Sequence, residues 1–370
     1  MSNKNVDILF NPLQLGEILI NNRIIMSSLT RMRCDKITKA PNNLVAEYYS
    51  QRASAGMIIT ESTFVSERSY SWPGCPGIMD QTQVEGWKKV IEAVHDKKGK
   101  ISLQIWHSGR ATHSQLQQGL QPWAPSAIAI NGPNDILNIP HEIPHEMNLD
   151  EIQLVINQFK KGAYLAKEAG FDALELHGAN GYLIDQFLKS NSNKRKDSYG
   201  GCIQNRCKFC LEVIDELISI FGKGRVGIKV SPIGRFNDMY DEDPIELYTY
   251  LFQELDKRQI AFIELMNDKD EENAYNYGLP SSQSQTQNLY EKLRKSFTGV
   301  IIGNVGLNAE SAAELIRNGL INAVSFGIPY VSNPDLVERI KFDLPHTQAN
   351  PDTFFQGDQI GYTDYLPFQK

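Results

Sequence analysis

The stretch VIIGNVGLNAESAAELIRNGLINAVSFG, residues 300–327, decides the fold. A short apolar run opens at Val300 and ends in the glycine turn Gly303-Asn304-Val305-Gly306. Asn308 then caps an amphipathic segment whose spacing predicts a helix to Asn318. Gly319 follows at once, as a C-terminal glycine in the left-handed conformation does. A second apolar run begins at Ala323. Strand, crossover helix and strand, with both strands apolar, is the repeating unit of a parallel sheet.

The same unit recurs along the chain. Strand candidates of four to seven residues begin at Ile24, Met57, Lys100, Ala173, Val226, Phe262, Val300 and Ala323. Helical candidates lie between them, among them Asn43 to Ser54, Thr82 to Asp96, Asp150 to Glu168 and Asn205 to Ile220, and Gly170 stops the third of these. Eight such units without a break in composition predict one closed (β/α)8 TIM barrel; a doubly wound open sheet is the runner-up. Two segments stand outside the alternation. Residues 108–147, rich in Pro, Gln, Asn and His, form an extended loop after the third strand, and a tail follows Pro345. Both are expected over the active-site face, the loop as a substrate lid or as a mere insertion.

Composition narrows the function. The 370 residues carry 37 Lys and Arg against 44 Asp and Glu, a net charge of -7, with no basic stripe for nucleic acid. No segment is apolar enough to span a membrane and the start carries no signal-like run, so a cytoplasmic protein is expected. Five cysteines are too few for a disulfide framework. Cys202, Cys207 and Cys210 imitate part of an iron–sulfur spacing but lie along an amphipathic helix with no fourth cysteine, so no metal is expected.

Polar residues gather where the barrel places its chemistry, at the C-terminal ends of strands. These are Thr30, Glu61 with Ser62, Gln104 with His107, and the run Glu175-Leu176-His177-Gly178-Ala179-Asn180-Gly181-Tyr182. An imidazole, an amide and a phenol within one turn point to an electrophile-binding pair with a proton donor. The glycine turns at 303–306 and 325–327, with the helix from Asn308, offer amides to a phosphate, as loops seven and eight of such barrels do.

Taken in order, several motifs resemble the old yellow enzyme family, particularly its N-ethylmaleimide and pentaerythritol tetranitrate reductase branch. They are Leu29-Thr30-Arg31-Met32-Arg33, Glu47-Tyr48-Tyr49, Gln51-Arg52-Ala53-Ser54-Ala55-Gly56, Gln104-Ile105-Trp106-His107-Ser108-Gly109-Arg110, Tyr199-Gly200-Gly201, Val230-Ser231-Pro232-Ile233-Gly234 and Gly361-Tyr362-Thr363-Asp364-Tyr365. The resemblance runs almost end to end. It implies that residues 1–370 form one domain, a TIM barrel preceded by a β-hairpin, which binds FMN without a covalent link. It also implies an ene-reductase that takes a hydride from NADPH or NADH and passes it from flavin N5 to an activated alkene, such as an enone, a maleimide or a nitro compound. Monomer or homodimer is implied too.

By the same resemblance Thr30 would bond flavin O4, and Ser62 and Gln104 would serve the pyrimidine edge. Asn304, Val305, Gly306, Gly327 and Ile328 would take the phosphate. His177 and Asn180 would polarise the substrate oxygen while Tyr182 protonates the α-carbon. Trp72, Trp106 and Phe355 would line the substrate pocket.

Some positions depart from the family. Lys229 stands for an arginine beside flavin N1 and O2, keeping the charge without the planar fork. Ile328 replaces the phosphate-clamping arginine, so weak FMN retention is expected. Trp72 and Phe355 replace tyrosines, and Ser28 replaces a proline. Two other readings stay open: a flavin-binding protein that no longer turns over, and a barrel that binds a phosphorylated metabolite instead of flavin.

Overall fold

The computed structural model describes residues 5–267 and 289–368. Eight parallel strands close a ring: Ile24–Met26, Ile58–Ile59, Ile101–Trp106, Ala173–Gly178, Val226–Val230, Phe262–Met266, Val300–Asn304 and Ala323–Phe326. Each pairs with the next, and the eighth returns to the first, with Val324 beside Ile24. The barrel therefore holds and the open sheet does not. The first two strands are shorter than expected, at three and two residues. In the second, the chain leaves the ladder at Thr60-Glu61-Ser62 and rejoins the third strand with Thr63–Phe64.

Alternation along each strand separates two cores. Leu174, Leu176, Ile228, Ile263 and Leu265 point outward into one large cluster beneath the helices. Ile25, Ile59, Ala173, Phe262, Ile302 and Ala323 point inward and fill the lower half of the barrel. Leu15, Ile18 and Ile20 join that inner cluster. They belong to the expected N-terminal hairpin, Leu13–Leu15 against Ile18–Ile20, which plugs the bottom of the ring. Its turn needs Gly16: φ is +57°, and a Cβ there would sit 2.2 Å from the Gly224 carbonyl oxygen.

The predicted helices appear within a few residues of their expected ends, as Asn43–Gln51, Gln81–His95, Leu149–Ala169, Ile203–Phe221 and Ala309–Arg317. Gly170 caps the third with φ +101°. After the last, Asn318 is the cap and Gly319 turns at φ +72° one residue later. Cys207 and Cys210 are buried on Ile203–Phe221 while Cys202 is exposed at its start. Among the described residues no helix is long and apolar enough to cross a membrane.

Residues 108–147 fold against the barrel. A short parallel pairing joins Trp123–Ala124 to His145–Glu146. Arg110 Nη2 donates to the Asp238 carbonyl at 3.0 Å, and Arg195 Nη1 to that of Pro125 at 2.9 Å. These bonds tie the loop to neighbouring segments of the barrel.

Candidate active site

Two residues above the inner apolar layer, the same alternation delivers polar side chains. Ala173 is followed by Glu175 and His177, Phe262 by Glu264, Gly227 by Lys229, Ile302 by Asn304, Ala323 by Ser325 and Ser102 by Gln104. Because period two keeps i and i+2 on one face, these groups meet inside the C-terminal half of the barrel. All are at most 6% exposed, so each must find a partner.

They find one another. Ser62 Oγ donates to Gln104 Oε1 at 2.6 Å, and Gln104 Nε2 donates to Glu175 Oε1 at 2.6 Å and Ser28 Oγ at 2.8 Å. Lys229 Nζ donates to Ser27 Oγ at 2.9 Å and lies 3.3 Å from Glu264 Oε1. That oxygen also accepts from Ser27 Oγ at 2.8 Å and Ser325 Oγ at 2.6 Å. Asn304 Nδ2 donates to Ser325 Oγ at 2.8 Å. Glu175 and Glu264 are close enough for each to feel the other's charge. Burial, then the Glu264 charge, pushes Glu175 well up. Burial pushes Glu264 up as well, but Lys229, Glu175 and the two hydroxyls outweigh it and hold Glu264 below the usual carboxylate range.

Beside this floor stands an aromatic wall. The Trp106 and Tyr182 rings meet edge to face at 4.4 Å, and His177 lies 5.1 Å from Tyr182. Burial, and secondarily Lys229, pushes His177 down to about 3, so the imidazole is neutral at working pH. Its buried Nδ1 has no partner among the described residues. Burial raises Tyr182 well above an ordinary phenol, opposed by a hydrogen bond from Trp72. Asn180 takes the left-handed turn, φ +58°, that asparagine tolerates. Its N–H donates to Ser231 Oγ and its carbonyl accepts from Asn237 Nδ2, which leaves the side chain for a ligand.

Two cavities adjoin this constellation and share Ser28, Leu29 and Ile328. One, of about 340 Å³, is lined by Thr30, Trp72, Phe236 and Phe355. The other, of about 400 Å³, is lined by Asn180, Lys229, Asn304, Val305, Gly306 and Gly327. Trp106 lines neither. It is 1% exposed and packs edge to face on Tyr182 among Phe64, Cys75 and Ala111; Gln104 and His177 are likewise buried and line neither cavity, and Tyr182 lines a small separate one beside Trp72. Ser62 meets the site only through Gln104.

The far end of the larger cavity gathers Asn304, Val305, Gly306, Gly327 and Ile328. Lys229 is the one cation among the described residues lining it. The helix at Asn308 spends amides on itself, since Ser311 N–H donates to Asn308 Oδ1 and Asn308 N–H to Ser311 Oγ. Val305 adopts φ +66°, a conformation unfavourable for a β-branched residue. Ile328 is 59% exposed.

The tail covers the smaller cavity, as expected. Arg31 donates to the carbonyls of Phe354 at 3.0 Å and Gly361 at 2.7 Å. Arg33 donates to those of Thr353 and Phe354, both at 2.7 Å, and of Gln356. Tyr362 stacks on Tyr48 at 3.9 Å beneath them. The strap so held carries Phe354 and Phe355 over the groove.

Glu264 and Ser27 escaped the sequence reading, while Glu175, Ser28, Arg31 and Arg33 entered it without these roles. A carboxylate inside the apolar strand Phe262–Met266 was the visible signal for Glu264. Glu175 shares a strand face with His177.

The chain matches the model of the NADH:flavin oxidoreductase / NADH oxidase family over residues 8–347. It is 39% identical to a probable flavin mononucleotide-dependent alkene reductase of Leishmania infantum, across 99% of both chains. It is 35% identical to 12-oxophytodienoate reductase 1 of Oryza sativa subsp. japonica, across 97% of this chain and 93% of that one. Among solved structures, morphinone reductase in complex with tetrahydroNAD superposes with TM-score 0.90 at 38% identity, covering 98% of both chains. The old yellow enzyme from Trypanosoma cruzi gives TM-score 0.90 at 33% identity, covering 98% of this chain and all of that one. On fold, site and relatives together, this chain belongs to the NADH:flavin oxidoreductase / NADH oxidase family, as an oxidoreductase of its FMN-dependent old yellow enzyme group.

Proposed function

We propose that this single barrel domain is an ene-reductase: it binds FMN, is reduced by NADPH or NADH, and reduces activated alkenes such as enones, maleimides or nitro-alkenes. The observation that carries the proposal is a hydrogen-bonded polar floor, at Gln104 and Lys229, with His177 and Tyr182 packed together beside it and a cavity lined by Lys229, Asn180 and the two glycine turns. The residues fit a flavin. Both Nε2 protons of Gln104 are spoken for, so only its Oε1 retains capacity, as an acceptor suited to a ring N–H. Lys229 suits an anionic pyrimidine edge, and Thr30 offers a hydroxyl on the cavity wall. Gly306 leaves open space where a Cβ would stand, with nothing within 4 Å. At the phosphate the chain offers the amides of Val305, Gly306, Gly327 and Ile328.

When bound, FMN supplies hydride chemistry, accepting from a nicotinamide and delivering to an electron-poor carbon. The protein's own part is orientation and proton placement. Neutral His177 donates its ring N–H, and Asn180 its side-chain amide, to the substrate oxygen, where negative charge grows as the alkene is reduced. Tyr182 holds its proton firmly, because burial raises it, and yields it only to a strongly basic carbon. Trp72 and Phe355, with ring centroids 5.6 Å apart, close the pocket above.

The test is a visible spectrum of the purified protein with added FMN, then anaerobic NADPH, then N-ethylmaleimide. A flavin band that NADPH bleaches and maleimide restores is expected. Bound flavin that maleimide leaves reduced would instead favour a flavoprotein without ene-reductase turnover.

A further inference from the structure

Resting on the flavin reading above, we propose that Glu264 is a further residue setting the reduction potential of the bound flavin, by cancelling the charge of Lys229 beneath the pyrimidine ring. Glu264 is fully buried and Lys229 5% exposed, and strand pairing sets the two directly beside each other. One oxygen of Glu264 collects the lysine, Ser27 and Ser325. A buried ammonium so placed is an ion pair, not a free cation, and its outward field is largely quenched.

The neighbouring carboxyl decides the sum. Glu175 Oε2 and Glu264 Oε2 are both buried with no partner among the described residues, and the Glu264 charge, after burial, pushes Glu175 well up. Lys229 lies 3.3 Å from Glu264, whereas Glu175 bonds the uncharged Gln104 amide. With one cation for two neighbouring carboxyls in a dry interior, both do not ionise, and the proton stays on Glu175. The floor then holds one positive charge on Lys229, one negative on Glu264 and none on Glu175. It is neutral.

Reduction of a flavin leaves negative charge on the pyrimidine edge. A free cation there would favour the reduced form, and a cancelled one does so far less. Glu264 thus keeps the reduced flavin a stronger hydride donor than Lys229 alone would allow. Glu175 adds a second service, since its other oxygen holds the Gln104 amide in one orientation.

Potentiometric titration of the FMN-loaded protein, followed at the flavin absorption band, tests this. Glu264→Gln is expected to raise the preference for reduced over oxidised flavin at least tenfold, about +30 mV for a two-electron couple. The double variant Lys229→Met with Glu264→Gln, neutral for neutral, is expected to stay within about threefold of the wild type, because the charge being exposed is gone. A single variant within threefold of wild type would overturn the proposal. So would a double variant whose preference falls tenfold, the result of losing an uncancelled cation. Should Glu264→Gln fail to fold, the double variant decides alone, since exchanging a buried ion pair for uncharged groups is tolerated. No flavin band in the wild type would overturn the flavin reading and this one with it, whereas bound flavin with an unmoved potential overturns only this one.

Discussion

At the barrel end of the groove Gln104, Glu175, Lys229 and Glu264 meet partners within 3.3 Å. At the loop end Val305, Gly306, Gly327 and Ile328 present main-chain amides and apolar side chains, with strain at Val305. In the first region Gln104, Lys229, Asn304 and the serines are held by one another, and a ligand's ring would be read by groups already oriented. The second has few such constraints, and a ligand's phosphate would be held by amides alone. On the proposed reading chemistry and retention are divided: the end that would tune and orient a flavin is densely bonded, and the end that would keep its phosphate is not.

The largest effect should break the comparison from the ordered side. Tyr182→Phe is expected to slow alkene reduction by about 10²-fold or more while leaving flavin reduction by nicotinamide intact, because only the proton is removed. Stopped-flow measurement of the two half-reactions separates them, and equal loss in both would remove Tyr182 as the donor.

Next comes Glu61, which supports the loop bearing Thr30 by accepting from the amides of Arg31 at 3.0 Å and Met32 at 3.2 Å. Burial raises it from 4.5 to about 7 against those two bonds. The folded state therefore holds this proton more tightly than the unfolded chain. Its stabilising contribution is full below pH 4.5 and is lost as pH rises through 7, roughly 3 kcal/mol in all. Glu61→Gln should flatten that slope, read by urea unfolding at pH 5 and pH 8; an unchanged slope would show that Glu61 does not titrate there.

On the other end, Ile328→Arg should tighten FMN about tenfold, the lower limit of a charge-assisted bond because the position is 59% exposed. Quenching of flavin fluorescence measures it, and no gain would mean that the amides already suffice. The smallest expected effect is Val305→Gly, which relieves the left-handed strain and should leave stability unchanged or raise it by up to about 1 kcal/mol. A clear loss in thermal unfolding would mean that Val305 packs rather than strains.

Much of this was legible in sequence, for a physical reason. Parallel barrel strands are buried on both faces, so their apolar runs stand out, and caps such as Asn308 with Ser311 mark where helices start. Strand ends led to Thr30, Gln104, His177, Asn180 and Tyr182. What stayed hidden depends on partners distant in sequence. Ser28 reads as a residue that merely loosens a turn, yet it takes a hydrogen bond from Gln104, 76 positions away. Glu264 looks misplaced in an apolar strand until Lys229, Ser27 and Ser325 surround it. Trp106 shares a strand with Gln104, but its edge-to-face packing on Tyr182 joins it to a loop far along the chain.

The strap held by Arg31 turns distance along the chain into an order of events. Its arginine and the Gly361 carbonyl it grips are 330 positions apart, an interval that a ribosome adding about 5–20 residues each second crosses in roughly 15 to 65 s. Until then the first-strand loop exists without the wall that Phe354 and Phe355 provide. Capture of a cofactor in the finished groove is therefore a late step in the life of the nascent chain, reached only after its earliest and latest residues have met.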